Sequence, residues 1–174
     1  MHLMQGVGRG FLTRHKGRGR NPQGRDGYVA GIGGVLAVTA KDFLGNWTLH
    51  RTIRDLLYGQ HGTLKGQAVF AATDDAHLTY DETGTLTLEN GAQLEATRRY
   101  QWTFTPKAVV VAFDDGRPFH QFVPSGHAAG TDHPCGADFY TVRYDFTAWP
   151  QWTAVWTVTG PRKDYVSTST YQRC

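Results

Sequence analysis

From residue 41 onward apolar positions recur at every second residue, and breaks rich in Gly, Pro or Asp interrupt them at intervals of about 8 to 12 residues. Side chains alternate across a strand, so this rhythm predicts short strands; no segment carries a long helical stripe. Strands are expected at 45–54, 63–73, 77–82, 85–89, 93–105, 108–113, 118–123, 137–147, 151–159 and 164–172. Between them, Asp74-Asp75, Glu89-Asn90-Gly91, Asp114-Asp115-Gly116, Pro124-Ser125-Gly126 and Gly160-Pro161 supply turn chemistry. Short strands joined by tight turns favour up-and-down pairing, and closure removes the exposed edges that invite aggregation. The expected fold is therefore all-β: one antiparallel, up-and-down barrel of about 8–10 strands spanning 41–174.

Fixing one inward residue fixes the rest of its strand. With Trp47 inward, Leu49, Arg51 and Ile53 follow it. The apolar phase of 93–105 groups Leu94, Ala96, Arg98, Tyr100, Trp102 and Phe104, and that of 77–82 groups Leu78, Tyr80 and Glu82. Asp138 falls with Tyr140, Val142, Tyr144 and Phe146, while Trp152, Ala154, Trp156 and Val158 share a face of 151–159. Leu64, Gly66, Ala68 and Phe70 add small residues that leave space. Two arginines and two carboxylates thus point into an apolar interior, where an unpaired charge costs several kcal/mol. They are expected either to pair with one another and fix register, or to recognise a ligand's polar group, as Arg does in a bidentate fork with a carboxylate. In the second case Arg51, Glu82, Arg98, Tyr100, Trp102, Asp138, Tyr140 and Trp156 are the candidate ligand-binding residues.

The sequence also carries recognisable local patterns. Phe43-Leu44-Gly45-Asn46-Trp47, a short helical turn running into Gly-x-Trp, resembles the start of the calycins, the lipocalins and fatty-acid-binding proteins. That resemblance implies that Trp47 plugs one barrel end and that Arg173, from the last strand, packs over its ring. Three patterns occur together: Gly45, Trp47, Arg51, Ile53 and Asp55; His133, Cys135, Asp138 and Tyr140; and Gly160, Pro161, Lys163, Asp164 and Tyr165. The set resembles an uncharacterised bacterial and plant family of lipocalin-like single-barrel domains over about residues 41–173. The resemblance implies a fold and no established activity.

Charge divides the chain. Residues 1–40 carry six Arg and Lys against Asp26 alone, whereas the remainder carries twelve basic and fourteen acidic residues. A Gly- and Arg-rich arm without apolar period reads as disordered, and a start codon placed too far upstream would look the same. The apolar YVAGIGGVLAVTA after it has a signal-like character, which its glycines and the long preceding segment weaken. The near-neutral body gives no specific nucleic-acid signature. No apolar run reaches the ~18 residues of a membrane span. Cys135 and Cys174 are too few for a disulfide framework, so a soluble protein of the reducing cytoplasm is the default expectation.

Candidate chemistry narrows from there. His133 and Cys135, with His120, His127 and Asp138 as further donors, form a weak metal pattern, because a zinc or iron site needs three or four ligands in matched geometry. No cofactor is expected; haem on a lone histidine is the minor alternative. Lys163 and Asp164 are expected to form a solvated pair in a turn. Nucleophile elbow, phosphate loop and HExxH are all missing from the sequence. The leading expectation is a non-enzymatic binder of a small, partly apolar, acidic ligand. A cofactor-independent lyase resembling phenolic-acid decarboxylases, with Arg51 or Arg98, Glu82, Tyr100 and Tyr140 as its groups, is the catalytic alternative, and a ligand-free barrel with a buried salt-bridge network the structural one. The oligomeric state stays open.

Overall fold

The computed structural model describes residues 38–174. The proposed arm lies outside the described residues except for its last three. Val38 and Ala40 are buried, and the Val38 N–H donates to the Pro124 carbonyl at 2.8 Å, so the folded domain begins before residue 41. Thr39 caps a four-residue helix, α1 (Ala40–Phe43). Its N–H and hydroxyl both donate to Asp42 Oδ2, at 2.8 and 2.6 Å, which satisfies donors a helix start leaves open.

Eleven antiparallel strands follow: β1 (Gly45–Asp55), β2 (His61–Ala72), β3 (His77–Leu88), β4 (Gln93–Phe104), β5 (Val109–Phe113), β6 (Pro118–Phe122), β7 (His127–Ala129), β8 (His133–Cys135), β9 (Asp138–Asp145), β10 (Trp152–Gly160) and β11 (Lys163–Arg173). The sheet runs β6-β5-β4-β3-β2-β1-β11-β10-β9-β7, with β8 also paired to β9. The barrel is nearly closed rather than fully laddered. Across the β6 seam, Thr131 N–H donates to the Gln121 carbonyl and Gln121 N–H to Thr131 Oγ1, at 2.9 and 3.0 Å.

Two differences from the expected strands have simple causes. The break expected at 83–84 is absent: Gly84 lies in register between Gly66 and Ala96, so β3 continues where three small residues let neighbouring backbones approach. A Cβ on Gly66 would stand 2.1 Å from the Thr83 carbonyl oxygen. β7 and β8, three residues each, are too short to display an alternation.

The two ends of the barrel differ. Strand alternation puts α1 and the β2–β3, β4–β5 and β9–β10 connections at one end. There Phe43, fully buried, makes ring contacts with Trp47, Phe70, Trp102, Phe104, Phe146, Trp149 and Trp152. Arg173 lies over Trp47, its guanidinium 4.5 Å from the ring centroid, and donates to the Asp42 and Leu44 carbonyls. At the other end cover by the described residues is thinner: Leu94, on the inward phase of β4, is 45% exposed. Among the described residues no helix is long and apolar enough to cross a membrane.

Candidate functional site

The charged residues of the interior resolve into two separate groups. In the first, Arg51 on β1 donates from both terminal nitrogens to Glu82 on β3, at 2.6 and 2.7 Å, and from Nε to Ser169 Oγ on β11 at 2.7 Å. Glu82 Oε2 also accepts from Tyr80 at 2.7 Å, and the Tyr80 and Tyr171 hydroxyls are 3.0 Å apart. Arg51 and Glu82 are 3% and 1% exposed, which makes this a dry bidentate pair. Burial pushes the Glu82 carboxyl upward, yet the Arg51 hydrogen bonds and the charges of Arg51 and Arg98 bring it below its ordinary value. For Arg51 the desolvation is likewise outweighed by Glu82, and its pKa rises.

Asp138 belongs to the second group, not to this cluster. Its Oδ2 lies 2.6 Å from Lys163 Nζ, which also donates to the Tyr140 hydroxyl at 3.0 Å. Lys163 therefore does not pair with Asp164 as a solvated turn residue; Asp164 instead offers its carbonyl to the Leu56 and Leu57 N–H groups. Gly160 makes the Asp138 contact feasible, since a Cβ there would come within 2.1 Å of Asp138 Oδ1. Two of the sequence patterns are thus one joint between β9 and β11. The phase reading gave the face of Asp138 correctly, but not its height along the barrel.

A narrow, partly open cavity of about 40 Å³, measured as the space open to the centre of a water molecule, lies against the first group. Arg51, Glu82, Arg98, Tyr100, Trp102 and Trp156 line it; of the candidate ligand residues only Asp138 and Tyr140 do not. Tyr80, Val111, Phe119, His120, Tyr144, Trp152, Ala154 and Tyr171 complete the wall. Arg98, Tyr100, Phe119 and Trp156 are half-buried, whereas Trp102, His120, Tyr144 and Trp152 are buried, which gives the cavity an outer and an inner part. The inner part carries the anomaly of the molecule. Trp102 Nε1, Trp152 Nε1 and His120 Nδ1 are buried without a hydrogen-bond partner among the described residues. Each such group costs about 1–3 kcal/mol when left unmatched.

His120 entered the sequence reading only as a spare metal donor. It sits on β6 opposite Val111, with Nε2 2.7 Å from the Tyr144 hydroxyl and its ring edge-on to Trp156. The alternation of His120 with Phe122 after Pro118 was the available signal for an inward histidine. Among the described residues no three His, Cys, Asp or Glu side chains gather as a metal-ligand group. His133 packs against Phe113, Phe119 and Tyr140, and Cys135 pairs in register with Asp138.

Burial, with a smaller contribution from the charge of His133, pushes His120 down to about 3. The folded state thus holds the imidazole neutral, while the unfolded chain protonates it near pH 6.5. The resulting stabilisation is complete above about pH 6.5 and drains away as pH falls toward 3, by up to about 1.4 kcal/mol per pH unit. His120→Phe is expected to flatten that portion of the unfolding free energy measured between pH 7 and pH 4. The carboxylates with lowered pKa, Glu82 among them, are common to both proteins and cancel in the difference. Equal slopes would place the imidazole in water.

Comparison with solved structures supports the architecture. The chain is similar to the S-type phycobiliprotein lyase CPES from Guillardia theta, with a TM-score of 0.55 and 10% identity over 78% of this chain and 90% of that one. A protein of the DUF3598 family from Nostoc punctiforme gives a TM-score of 0.52 and 12% identity over 78% of this chain, which spans 48% of that one. At these identities the likeness shows a lipocalin-like barrel. No curated protein matches the chain. Residues 43–173 match the family of unknown function DUF6314, and the chain belongs to that family.

Proposed function

We propose that the barrel binds a small, partly apolar organic acid in its lumen, as a carrier or sensor. The observation that carries this reading is the charge of the cavity wall: two arginines, Arg51 and Arg98, face one carboxylate, Glu82, within walls that are otherwise largely aromatic. Arg51 and Glu82 form a bidentate pair, and Arg98, which also acts electrostatically on Glu82, stands at the half-buried outer part of the same wall. A ligand carboxylate would accept from the Arg98 guanidinium while its apolar body lies against Tyr100, Phe119 and Trp156, the mixture of apolar wall and few polar groups usual in ligand sites.

The lyase alternative asks for a glutamic acid of raised pKa beside the substrate. Glu82 has a lowered one, and both of its oxygens are engaged. A salt-bridge network without ligand accounts for Arg51 and Glu82 but not for the space beside them.

Titration with aromatic acids, fatty acids and porphyrins, followed by quenching of tryptophan fluorescence, tests the reading. An aromatic acid is expected to bind about tenfold or more tightly than its primary amide, because a charge-assisted hydrogen bond contributes about 1.5–3 kcal/mol. Arg98→Met is expected to erase that preference and leave amide binding intact. Equal affinity of acid and amide for the unaltered protein would refute the acidic ligand.

A further inference from the structure

The cavity is narrower than its proposed ligand. About 40 Å³ is open to the centre of a water molecule, against about 300–1,000 Å³ in ordinary ligand pockets, so an aromatic ring enters only if a side chain moves. Most of the wall is pinned. Trp102 and Trp152 pack against Phe43, Tyr80 and Tyr171 are tied to the Arg51–Glu82 pair, and Tyr144 is bonded to His120. Phe119, by contrast, is half-buried and has no polar side-chain atom to release.

Phe119 faces the cavity because β6 is irregular. Pro118 and His120 pair with the consecutive β5 residues Ala112 and Val111, which leaves Phe119 as the extra residue of a β-bulge. In an unbroken strand Phe119 and His120 would face opposite sides, yet both line the cavity. The backbone at the bulge is held from across the seam, where His133 bonds to the Phe119 carbonyl and Gln121 exchanges bonds with Thr131. Turning the Phe119 side chain therefore breaks no hydrogen bond and leaves β6 in place.

The phenyl ring itself stands in a stack. Its centroid lies 5.0 Å from that of Trp156 with the planes 1° apart, and 5.5 Å from that of Tyr100 with the planes 14° apart. Strand order puts β4 on one side of β6 and β10, beyond the seam, on the other, so Phe119 is the middle ring. A flat aromatic ring that replaced it would meet the same two faces, and the stacking lost by Phe119 would be regained by the newcomer.

We infer that Phe119 is the resident occupant of an aromatic-ring subsite between Tyr100 and Trp156, and that a ligand's ring enters by turning Phe119 out of the stack. Resting on the acid-binding reading above, this narrows the ligand class to acids whose apolar body is a flat aromatic ring. The displaced phenyl ring then lies over the outer edge of the ligand.

The test uses the full chain grown with 4-fluorophenylalanine, the fluorine signal of residue 119 being identified by its loss in Phe119→Leu. The probes are phenylacetate, cyclohexylacetate and benzyl alcohol. Saturation with phenylacetate or benzyl alcohol is expected to move that signal from its stacked position toward that of a solvent-exposed fluorophenylalanine. Phenylacetate is expected to bind about tenfold more tightly than cyclohexylacetate, the factor that two ring–ring contacts supply, and Trp156→Leu to bring the ratio to within about threefold. Phe119→Ala is expected to bind phenylacetate about tenfold more tightly than the unaltered protein, because no resident ring has to leave. Should Trp156→Leu fail to fold, the signal of residue 119 in the unaltered chain decides.

A signal that stays in place at saturating phenylacetate would overturn the subsite and leave the acid-binding reading standing. Equal affinities for phenylacetate and cyclohexylacetate, or a preference unchanged by Trp156→Leu, would also overturn it. So would the absence of binding by all three probes to the unaltered protein at millimolar concentration, whatever Phe119→Ala takes up. If benzyl alcohol moves the signal while neither acid binds, the acid-binding reading fails and the subsite stands.

Discussion

Glu82→Gln is expected to destabilise the protein by about 3–5 kcal/mol, read from urea or thermal unfolding. The magnitude follows from the geometry. The substitution keeps the size of the side chain but removes the charge that compensates Arg51, which is 3% exposed and pairs with no other carboxylate among the described residues. Without Glu82 only the desolvation that lowers the Arg51 pKa gains weight, but an arginine starts so high that its guanidinium does not escape by losing its proton. Arg51→Met strands the carboxylate instead and is expected to cost a similar amount. The double substitution Arg51→Met/Glu82→Met removes both ions and their desolvation together, and it is expected to lie within about 1 kcal/mol of the unaltered protein or above it. A loss below about 1 kcal/mol for Glu82→Gln would mean that water reaches the pair and that it behaves as a surface ion pair. The double variant also divides roles: a ligand that still binds it does so without Arg51.

The inward faces were legible in the sequence because a period of two leaves no freedom once Trp47 is placed. Arg51, Glu82, Arg98, Trp102 and Trp156 all reach the cavity from faces assigned by alternation alone. Level along the barrel axis was not legible, because it depends on the stagger between strands. Arg51 is registered with Leu64 and Ser169, and Glu82 with Ala68 and Arg98. Only a side chain as long as arginine bridges that offset. The same missing information put Asp138 among these charges, although it meets Lys163 at the β9–β11 joint.

The sequence patterns themselves turn out to mark joints. Trp47 donates from Nε1 to the Phe43 carbonyl at 2.7 Å beneath Arg173, and Asp55 accepts from the Leu57 and Tyr58 N–H groups at the β1–β2 turn. Asp138, Tyr140, Gly160 and Lys163 lock β9 to β11. Within these patterns only Arg51 lines the cavity, and it is paired. The residues proposed to meet a ligand, Arg98, Tyr100, Phe119 and Trp156, fall outside them. A search for function guided by the patterns alone therefore arrives at the frame of the barrel.

Phe43→Ala is expected to cost about 3–5 kcal/mol, toward the upper end of the range for a buried aromatic ring. The ring is wholly buried among seven other aromatic side chains, with centroids 5.1 to 6.5 Å away. What raises the cost is that the site cannot collapse. The helix carrying Phe43 is held by groups other than its ring: the Thr39 and Asp42 bonds at one end, and the Trp47 and Arg173 donors on the carbonyls of Asp42, Phe43 and Leu44 at the other. Truncation should leave a ring-sized, apolar and dry void, because a void of that kind without polar partners does not take up water. Benzene is then expected to raise the unfolding free energy of Phe43→Ala in proportion to the logarithm of its concentration, and to do so by more than it raises that of the unaltered protein. A loss below about 1.5 kcal/mol without benzene-dependent recovery would show that the aromatic plug repacks. Trp102 and Trp152 touch Phe43 and also line the cavity, so a loss of order in the plug is expected to reach the cavity wall through them.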